Sequence, residues 1–257
     1  MPAPTSSLHD RLAATGVAHV PGVVGRAEAD AMADAVWASL ARRGVERGDR
    51  RTWPTGFVAG HRALRRAGAF EAFGAPGLAA TVRAAVPAGE WAPAGPWGPA
   101  LVTFPEPGPW DVPHTVWHLD LPGRGDPDRP GVLRLFGFVS DVGARGGGTL
   151  VVEGSHELVR RMVAAAPGHD AGRSSDVRRR LAASHPWFRA LAREGGGDRV
   201  RRFMTDGDEI DGVRVRVAEL TGAAGDVTVM LPWTVHSLGM DTAAAPRFMV
   251  TQSLHRR

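Results

Sequence analysis

The first third of the chain carries apolar residues at helical spacing. This pattern predicts one short helix over residues 6–16 and two short helices within residues 61–86. Residues 26–43 predict the longest helix, and Gly44 follows where a C-terminal cap belongs. One face of that helix is apolar, being formed by Ala33, Val36, Trp37 and Leu40.

Later in the chain the pattern changes to short β-rich runs bounded by turn residues. Strands at this spacing indicate a sandwich or jelly roll, with a helical insertion at about residues 156–205 between its halves. The predicted strands are 17–24, 101–104, 132–139, 149–152, 213–220, 226–231 and 246–253. The acidic run 206–211 is interpreted as a hairpin tip rather than a metal site.

Composition adds few constraints beyond these patterns. The 257 residues include 43% hydrophobic ones, which fits a folded protein with a sizeable core. Cysteine is absent, and this excludes disulfides, thiolate metal sites and cysteine nucleophiles. Lysine, asparagine and tyrosine are absent too, which we interpret as the codon bias of a GC-rich, bacterial genome.

Charge and hydropathy favour a cytoplasmic protein that acts on small molecules. The formal net charge is only +4, and no basic stripe with interleaved aromatic residues predicts nucleic-acid binding. The first residues lack the basic and apolar regions of a secretory signal. No apolar run approaches the roughly 18 residues of a membrane helix. The oligomeric state is left open.

The candidate chemistry centres on the triplet His118-Leu119-Asp120. Residues two apart on an extended strand point to the same side, so His118 and Asp120 can act together. A third ligand is available from His236, which follows a predicted strand. Two imidazoles and one carboxylate can occupy one face of an octahedral ion and leave three positions open, as in non-haem Fe(II) oxygenases.

An anchor for an organic acid is predicted on the last strand. Arg247 stands in an otherwise apolar run, and arginine is rarely buried unless it is paired. A guanidinium can grip a ligand carboxylate through two parallel hydrogen bonds. Thr149, within a glycine-rich segment that leads into a strand, could add a hydroxyl to the same pocket. His114, His156 and His255 are predicted not to bind metal.

These motifs, in this order, resemble the phytanoyl-CoA dioxygenase (PhyH) family of Fe(II)/2-oxoglutarate oxygenases. The similarity runs through nearly the whole chain. It comprises Gly16–Val24 before the long helix, Trp117-His118-Leu119-Asp120, the run Gly147–His156, and Gly225-Asp226 followed by His236 and Arg247.

The resemblance implies a fold, a chemistry and a residue set. The fold would be mainly β with α: a double-stranded β-helix (jelly roll, cupin-like) with N-terminal helices. It would form a single domain over 1–257, with a helical part to about residue 90 and a β core from about 100 to 257. His118, Asp120 and His236 would hold Fe(II), Arg247 would bind the distal carboxylate of 2-oxoglutarate, and O₂ would be the second cosubstrate.

Three positions depart from the family pattern. Leu119 replaces a frequent Gln, Glu153 replaces a frequent Pro, and Leu238 stands where Ser is frequent. None of these changes removes a ligand. The carboxylate of Asp120 favours hydroxylation over halogenation, because related halogenases lose this group to make room for chloride.

Two other functions remain open from the sequence. One is a non-oxidative metal enzyme on a cupin-like barrel, such as an isomerase or hydrolase, although it would not need Arg247. The other is a non-catalytic small-molecule binding protein, although the ligand set is intact. The leading prediction is hydroxylation of an aliphatic carbon of a small metabolite. The sequence does not identify this metabolite. Two arginine clusters, Arg178–Arg180 and Arg199–Arg202, are either solvated helix faces or contacts for an anionic group of the substrate.

Overall fold

The predicted helices and strands form in their predicted order, and short strands at 56–58 and 91–93 form that the sequence patterns did not predict. The computed structural model describes residues 7–86 and 90–257. The helices are α1 (Leu8–Thr15), α2 (Arg26–Ala41), α3 (Arg62–Arg66), α4 (Pro76–Ala85), α5 (Ser155–Ala165), α6 (Ser174–Ser184) and α7 (Pro186–Leu191). The strands are β1 (Val17–Val20), β2 (Gly56–Val58), β3 (Trp91–Pro93), β4 (Ala100–Phe104), β5 (Val132–Phe138), β6 (Leu150–Glu153), β7 (Asp208–Ile210), β8 (Val213–Glu219), β9 (Val227–Met230), β10 (His236–Ser237) and β11 (Arg247–Arg256).

Local chemistry explains where the first helix begins and ends. The Ser7 side chain accepts a hydrogen bond from the backbone N–H of Asp10, and the Asp10 carboxylate accepts one from the backbone of Ser7. Gly16 closes the helix in the left-handed conformation at φ 83°. A side chain there would collide with His156 and Thr234, so this turn also brings the start of β1 against the later strands.

Two antiparallel sheets form the centre of the molecule. The larger has seven strands in the order β1-β9-β5-β11-β4-β2, with β3 also paired to β11. The smaller has the order β10-β6-β8-β7. The predicted run 206–211 contributes the short strand β7, which pairs with β8 across a turn at Asp211 and Gly212.

Side-chain alternation divides the core into three layers. One face of the large sheet packs against the N-terminal helices through residues such as Leu135, Val229 and Phe248. The outer face of the small sheet packs against α5, α6 and α7. Between the sheets lies a smaller apolar cluster of Phe136, Phe138, Val142, Val151, Leu220, Met230 and Met249. Residues that point inward from either sheet therefore face each other across a narrow interior.

A buried arginine ties the helical insertion to the segment that leads into the predicted metal site. Arg199 is 7% exposed and donates to five backbone carbonyls, which belong to Val112, Pro113, Ala190, Leu191 and Arg193. Three of these carbonyls belong to α7 or lie just beyond it, where backbone acceptors lack helical partners. The guanidinium thus joins α7 to residues 112–113, a few residues before His118.

The strand predicted around His118 is not a regular one. His118 makes a single antiparallel bridge with His236, and the flanking residues belong to no ladder. Leu119 points away from the space between the sheets and packs among the residues of the insertion. Within the described residues, none of the helices combines the length and apolar character that crossing a bilayer requires.

His61 generates a prediction about stability and pH. Its ring is 2% exposed, and neither ring nitrogen finds a hydrogen-bond partner among the described residues. Burial, and then the positive charge of Arg43, lowers the pKa of His61 below its ordinary value. The unfolded chain therefore takes up a proton that the folded state resists. Folding stability should fall as the pH drops below about 6.5, the unfolded value of histidine.

Replacing His61 with leucine should remove this proton uptake and flatten the acid limb of the stability profile. Urea unfolding of His61→Leu between pH 8 and pH 5 measures the slope. His255→Leu is the matched control, because His255 is exposed on β11. Equal slopes for the wild type and His61→Leu would contradict the assignment.

Candidate functional site

A pair of backbone hydrogen bonds brings the two distant histidines together. The N–H of His118 donates to the carbonyl of His236 at 2.8 Å, and the N–H of His236 donates back at 3.0 Å. Residues paired in this way project to the same side, and the two ring centroids lie 4.1 Å apart. His236 is held by β10, which pairs with β6 through Val151.

The backbone also fixes which nitrogen of each ring is free. Nδ1 of His118 lies 2.8 Å from the carbonyl of Val116, and Nδ1 of His236 lies 3.0 Å from the carbonyl of Thr234. A carbonyl only accepts hydrogen bonds, so Nδ1 carries the proton in both rings. In the neutral ring Nε2 then presents a lone pair, which is the arrangement that metal-binding imidazoles need.

Asp120 completes a set of three donor atoms. Its Oδ1 lies 3.7 Å from Nε2 of His118 and 3.6 Å from Nε2 of His236. One ligand atom from each of the three residues lies within 4.8 Å of the others, and no other such cluster occurs among residues 7–86 and 90–257. Two imidazole nitrogens and one carboxylate oxygen fit a divalent transition metal such as iron.

The protonation states suit a cation at this point. Burial raises the pKa of Asp120, but contact with His236 and the charge of Arg134 outweigh that effect and lower the pKa to about 2. Burial, and then the neighbouring His236, lowers the pKa of His118 below its usual range. At neutral pH the carboxylate is thus ionised and the His118 ring is neutral.

Two residues with unfavourable backbone conformations stand beside the histidines. Val116, whose carbonyl receives the His118 ring, has φ 62°, and Trp233, which precedes Thr234, has φ 68°. Left-handed backbone is unusual for a β-branched residue such as valine. The Val116 side chain is 57% exposed, so apolar packing does not account for the conformation.

Arg247 is buried, and no carboxylate in the part of the chain that the structure describes forms an ion pair with it. It is 1% exposed at the start of β11, opposite Thr103 of β4. Its Nη2 donates to the Thr103 hydroxyl and its Nη1 contacts the sulfur of Met249, while Nε has no partner among the described residues. Burial lowers the pKa of Arg247 to about 10, although the charges of Asp241 and Glu219 act in the opposite direction. The guanidinium therefore stays charged at neutral pH.

Unsatisfied hydroxyls share this interior with Arg247. Thr149 and Thr251 are each 3% exposed, and the hydroxyl oxygen of neither has a hydrogen-bond partner within the described ranges. Thr149 lies two residues before Val151, which pairs with His236 in the small sheet. Thr251 lies on the same face of β11 as Arg247. Buried polar atoms without partners are rare, and here they line one interior.

Glycine packing determines where Thr149 lies. A side chain at Gly148 would meet the carbonyl oxygen of Leu220 at 2.2 Å, so only glycine allows this close approach. The backbones of the same two segments are also hydrogen-bonded, because the carbonyl of Thr149 accepts a hydrogen bond of 2.9 Å from the N–H of Leu220. The glycine-rich segment therefore positions Thr149 at the inner edge of the small sheet.

The sequence patterns did not reveal three of the residues at this site. Thr103 and Thr251 are single hydroxyl residues in apolar strands. Arg134 reaches the predicted metal ligand Asp120, since its Nε lies 2.8 Å from Oδ2. The only available signal was an arginine at an inward position of an otherwise apolar strand. The direction of the Nε–H bond does not meet hydrogen-bond geometry, so the contact is an ion pair.

The histidines predicted not to bind metal lie elsewhere. His156 begins the insertion, and its Nε2 donates to the carbonyl of Ala13 at 3.2 Å. His255 lies on an exposed part of β11, and His114 lies in the loop before His118. Glu153, at a position where the family often has proline, forms an ion pair with Arg216 on β8.

Solved structures of similar fold include 2-oxoglutarate-dependent enzymes. The epimerase SnoN, in complex with Fe³⁺, α-ketoglutarate and nogalamycin RO, is 19% identical, with a TM-score of 0.55 over 97% of this chain and 82% of that one. AviO1 from Streptomyces viridochromogenes Tue57 is 20% identical, with a TM-score of 0.54 over 98% and 96%. The non-haem α-ketoglutarate-dependent carbocyclase SnoK is 16% identical, with a TM-score of 0.51 over 97% and 83%. At these identities the similarity establishes a shared fold.

Sequence comparison identifies the family. No curated protein matches the chain in sequence. The profile of the phytanoyl-CoA dioxygenase (PhyH) family matches residues 12–249, which include the His118 triplet, Thr149, His236 and Arg247. The resemblance inferred from the motifs is thereby confirmed: the chain belongs to the PhyH family.

Proposed function

We propose that this protein is an Fe(II)/2-oxoglutarate-dependent dioxygenase that hydroxylates an aliphatic carbon of a small metabolite. One observation carries the proposal. Arg247 is fully buried and charged, has no carboxylate partner among residues 7–86 and 90–257, and shares the interior between the sheets with His236 of the His118, Asp120 and His236 cluster. A buried unpaired charge is strongly unfavourable, and the carboxylate of a bound organic acid would satisfy it.

The fold proposal follows from the two facing sheets. Their antiparallel order and shared apolar interior support a double-stranded β-helix of the jelly-roll, cupin-like kind. We also propose that residues 1–257 form one domain, because the helices before the β core and the helical insertion each cover the outer face of one sheet.

His118, Asp120 and His236 would hold the metal, and each is prepared by its neighbours. The carbonyls of Val116 and Thr234 place the proton of each neutral ring on Nδ1, so that Nε2 faces the metal position, and the low pKa of Asp120 keeps the carboxylate ionised. Iron and 2-oxoglutarate, when bound, would supply the oxidising power for cleaving a C–H bond with O₂. SnoN with Fe³⁺ and α-ketoglutarate, and HygX with nickel and 2-oxoglutarate, support these cofactors.

Arg247 would orient the cosubstrate from the buried interior between the two sheets. Its Nε–H finds no acceptor among the described residues, and the hydroxyls of Thr149 and Thr251 in the same interior find no partner there either. A guanidinium with two neighbouring hydroxyls can bind a carboxylate through several charge-assisted hydrogen bonds. The apolar cluster between the sheets, which includes Phe136 and Met249, would exclude water around that contact.

The overall reaction would convert R–H, O₂ and 2-oxoglutarate to R–OH, succinate and carbon dioxide. Asp120 occupies the ligand position that a halide would need, which supports oxygen rather than chlorine transfer. SnoN is an epimerase and SnoK a carbocyclase, so α-ketoglutarate-dependent enzymes of this fold also catalyse other reactions. A non-oxidative metal enzyme would not need a buried carboxylate anchor at Arg247, and a simple binding protein would not need the intact set of three metal ligands.

Asp120→Ala should abolish iron-dependent formation of succinate from 2-oxoglutarate, because it removes the only carboxylate of the ligand set. Thermal unfolding should be preserved, since the Asp120 side chain is 27% exposed and lies outside the apolar core. Succinate is measured after aerobic incubation with Fe(II), alongside Asp170→Ala as an exposed control. Full activity in Asp120→Ala would refute the ligand assignment.

Arg247→Lys should raise the 2-oxoglutarate concentration needed for half-maximal turnover by roughly tenfold to hundredfold. The reason is that an ammonium group cannot reproduce a two-pronged contact worth about 1.5–3 kcal/mol. Titrations of 2-oxoglutarate and of Fe(II) should separate the effects, with the iron requirement unchanged. Arg180→Lys on the exposed face of α6 is the control. If both requirements rise together, Arg247 has another role.

The reaction outcome is tested with ¹⁸O₂ in the presence of chloride. Metabolites are first screened for substrate-stimulated release of succinate, and the product mass is then determined. Hydroxylation predicts a gain of one labelled oxygen. A product of unchanged or reduced mass, formed with succinate, would replace hydroxylation by epimerisation, desaturation or cyclisation. Turnover without O₂ would exclude the oxygenase altogether.

A further inference from the structure

The two oxygens of Asp120 face different partners. Oδ1 is directed toward the Nε2 atoms of His118 and His236, at 3.7 and 3.6 Å. Oδ2 lies 2.8 Å from Nε of Arg134. One oxygen is therefore available to a metal, while the other is held by a cation that belongs to the protein.

We propose that Arg134 is a positioning residue that holds Asp120 as a one-oxygen ligand. The inference rests on the proposed function, because it assigns a task to Arg134 at the same metal site. A carboxylate that bound through both oxygens would fill two positions on the ion. With Oδ2 held by Arg134, three ligand atoms come from the protein and three positions stay open for cosubstrates.

Asp120 needs such support because its own segment provides little. Isolated bridges pair the main chain at His118, two residues before Asp120, and at Arg124, four residues after it, but Asp120 itself is in neither bridge. The backbone N–H of Leu119 donates to the Ser174 hydroxyl at 2.9 Å, which fixes the main chain but not the neighbouring side chain. The Asp120 carboxylate borders a cavity and is 27% exposed, so packing alone does not determine its rotamer.

Arg134 is well placed for this task. It lies on β5, between β9 and β11 in the middle of the large sheet, with Met230 and Ser253 as its register partners. Its Nη1 donates to the Ser253 hydroxyl at 2.8 Å, and this second contact restricts rotation of the guanidinium. A ligand-supporting residue is most effective on a rigid strand with its own hydrogen bond.

Charge and orientation predict opposite effects when Arg134 is removed. Loss of a positive charge beside Asp120 would, by electrostatics alone, strengthen the attraction of the site for a cation. Loss of orientation would weaken binding, and removing a residue that orients a metal ligand typically lowers metal affinity 10–100-fold. The sign of the change therefore separates a positioning role from a purely electrostatic one.

The experiment measures Co(II) binding to the purified full-length chain by calorimetry and by the visible absorption of the bound ion. Arg134→Gln is expected to weaken Co(II) binding about 10–100-fold and to change the absorption spectrum, which reports the coordination of the ion. Arg134→Lys should recover part of the affinity, since it restores a cation near Oδ2 but cannot also reach Ser253. Arg124→Gln, which removes an exposed arginine paired with Asp170, should match the wild type.

Thermal unfolding of the metal-free proteins shows whether Arg134→Gln is folded. A second variant tests the same role if it is not. Ser253→Ala leaves Arg134 in place but removes its Nη1 partner, and it should weaken Co(II) binding by a smaller factor. Unchanged or tighter binding in folded Arg134→Gln, or in Ser253→Ala if Arg134→Gln does not fold, would overturn the positioning role. If the wild type binds Co(II) no better than Asp120→Ala does, the proposed metal site itself is wrong.

Discussion

The site depends on one antiparallel bridge between His118 and His236. Two backbone hydrogen bonds join segments that are far apart in the sequence, and they place both rings on the same side. The ring orientations follow from the same backbone, because each Nδ1 is bound by a carbonyl two residues earlier in the chain. Local geometry thus determines the tautomer of the neutral rings and the direction in which each Nε2 points.

The layered packing explains why polar groups converge in so small an interior. Helices cover the outer faces of both sheets, so the apolar residues that stabilise the fold are concentrated there. The inner faces are thereby free to carry Arg134, Thr149, Arg247 and Thr251 beside a limited apolar cluster. Several of these buried groups lack partners within the described residues, an arrangement that is unfavourable in the free protein and favourable once a polar ligand is bound.

Much of this organisation could be predicted from the sequence. The helical spacing at residues 26–43 predicted α2, and the spacing of His118 and Asp120 with the later His236 and Arg247 predicted the cluster. Arg134 and Thr251 could not be found in the same way, because their roles depend on strand register and on pairing with distant residues. The isolated bridge at His118 was likewise not predictable, since an extended segment with one pairing resembles a strand in sequence. His61 gave no signal, because burial depends on tertiary packing.

The left-handed backbone of Val116 has a consequence for how this protein can change over time. Such a conformation is unfavourable by roughly 1–3 kcal/mol, a sizeable share of the net stability of a typical domain. The residue that bears it holds the His118 ring through its carbonyl. Mutations that relax this turn would make the fold more robust while loosening the histidine. Selection for robustness and selection for catalysis therefore oppose each other at this residue, and gains in stability that leave catalysis intact are to be sought in the outer layers.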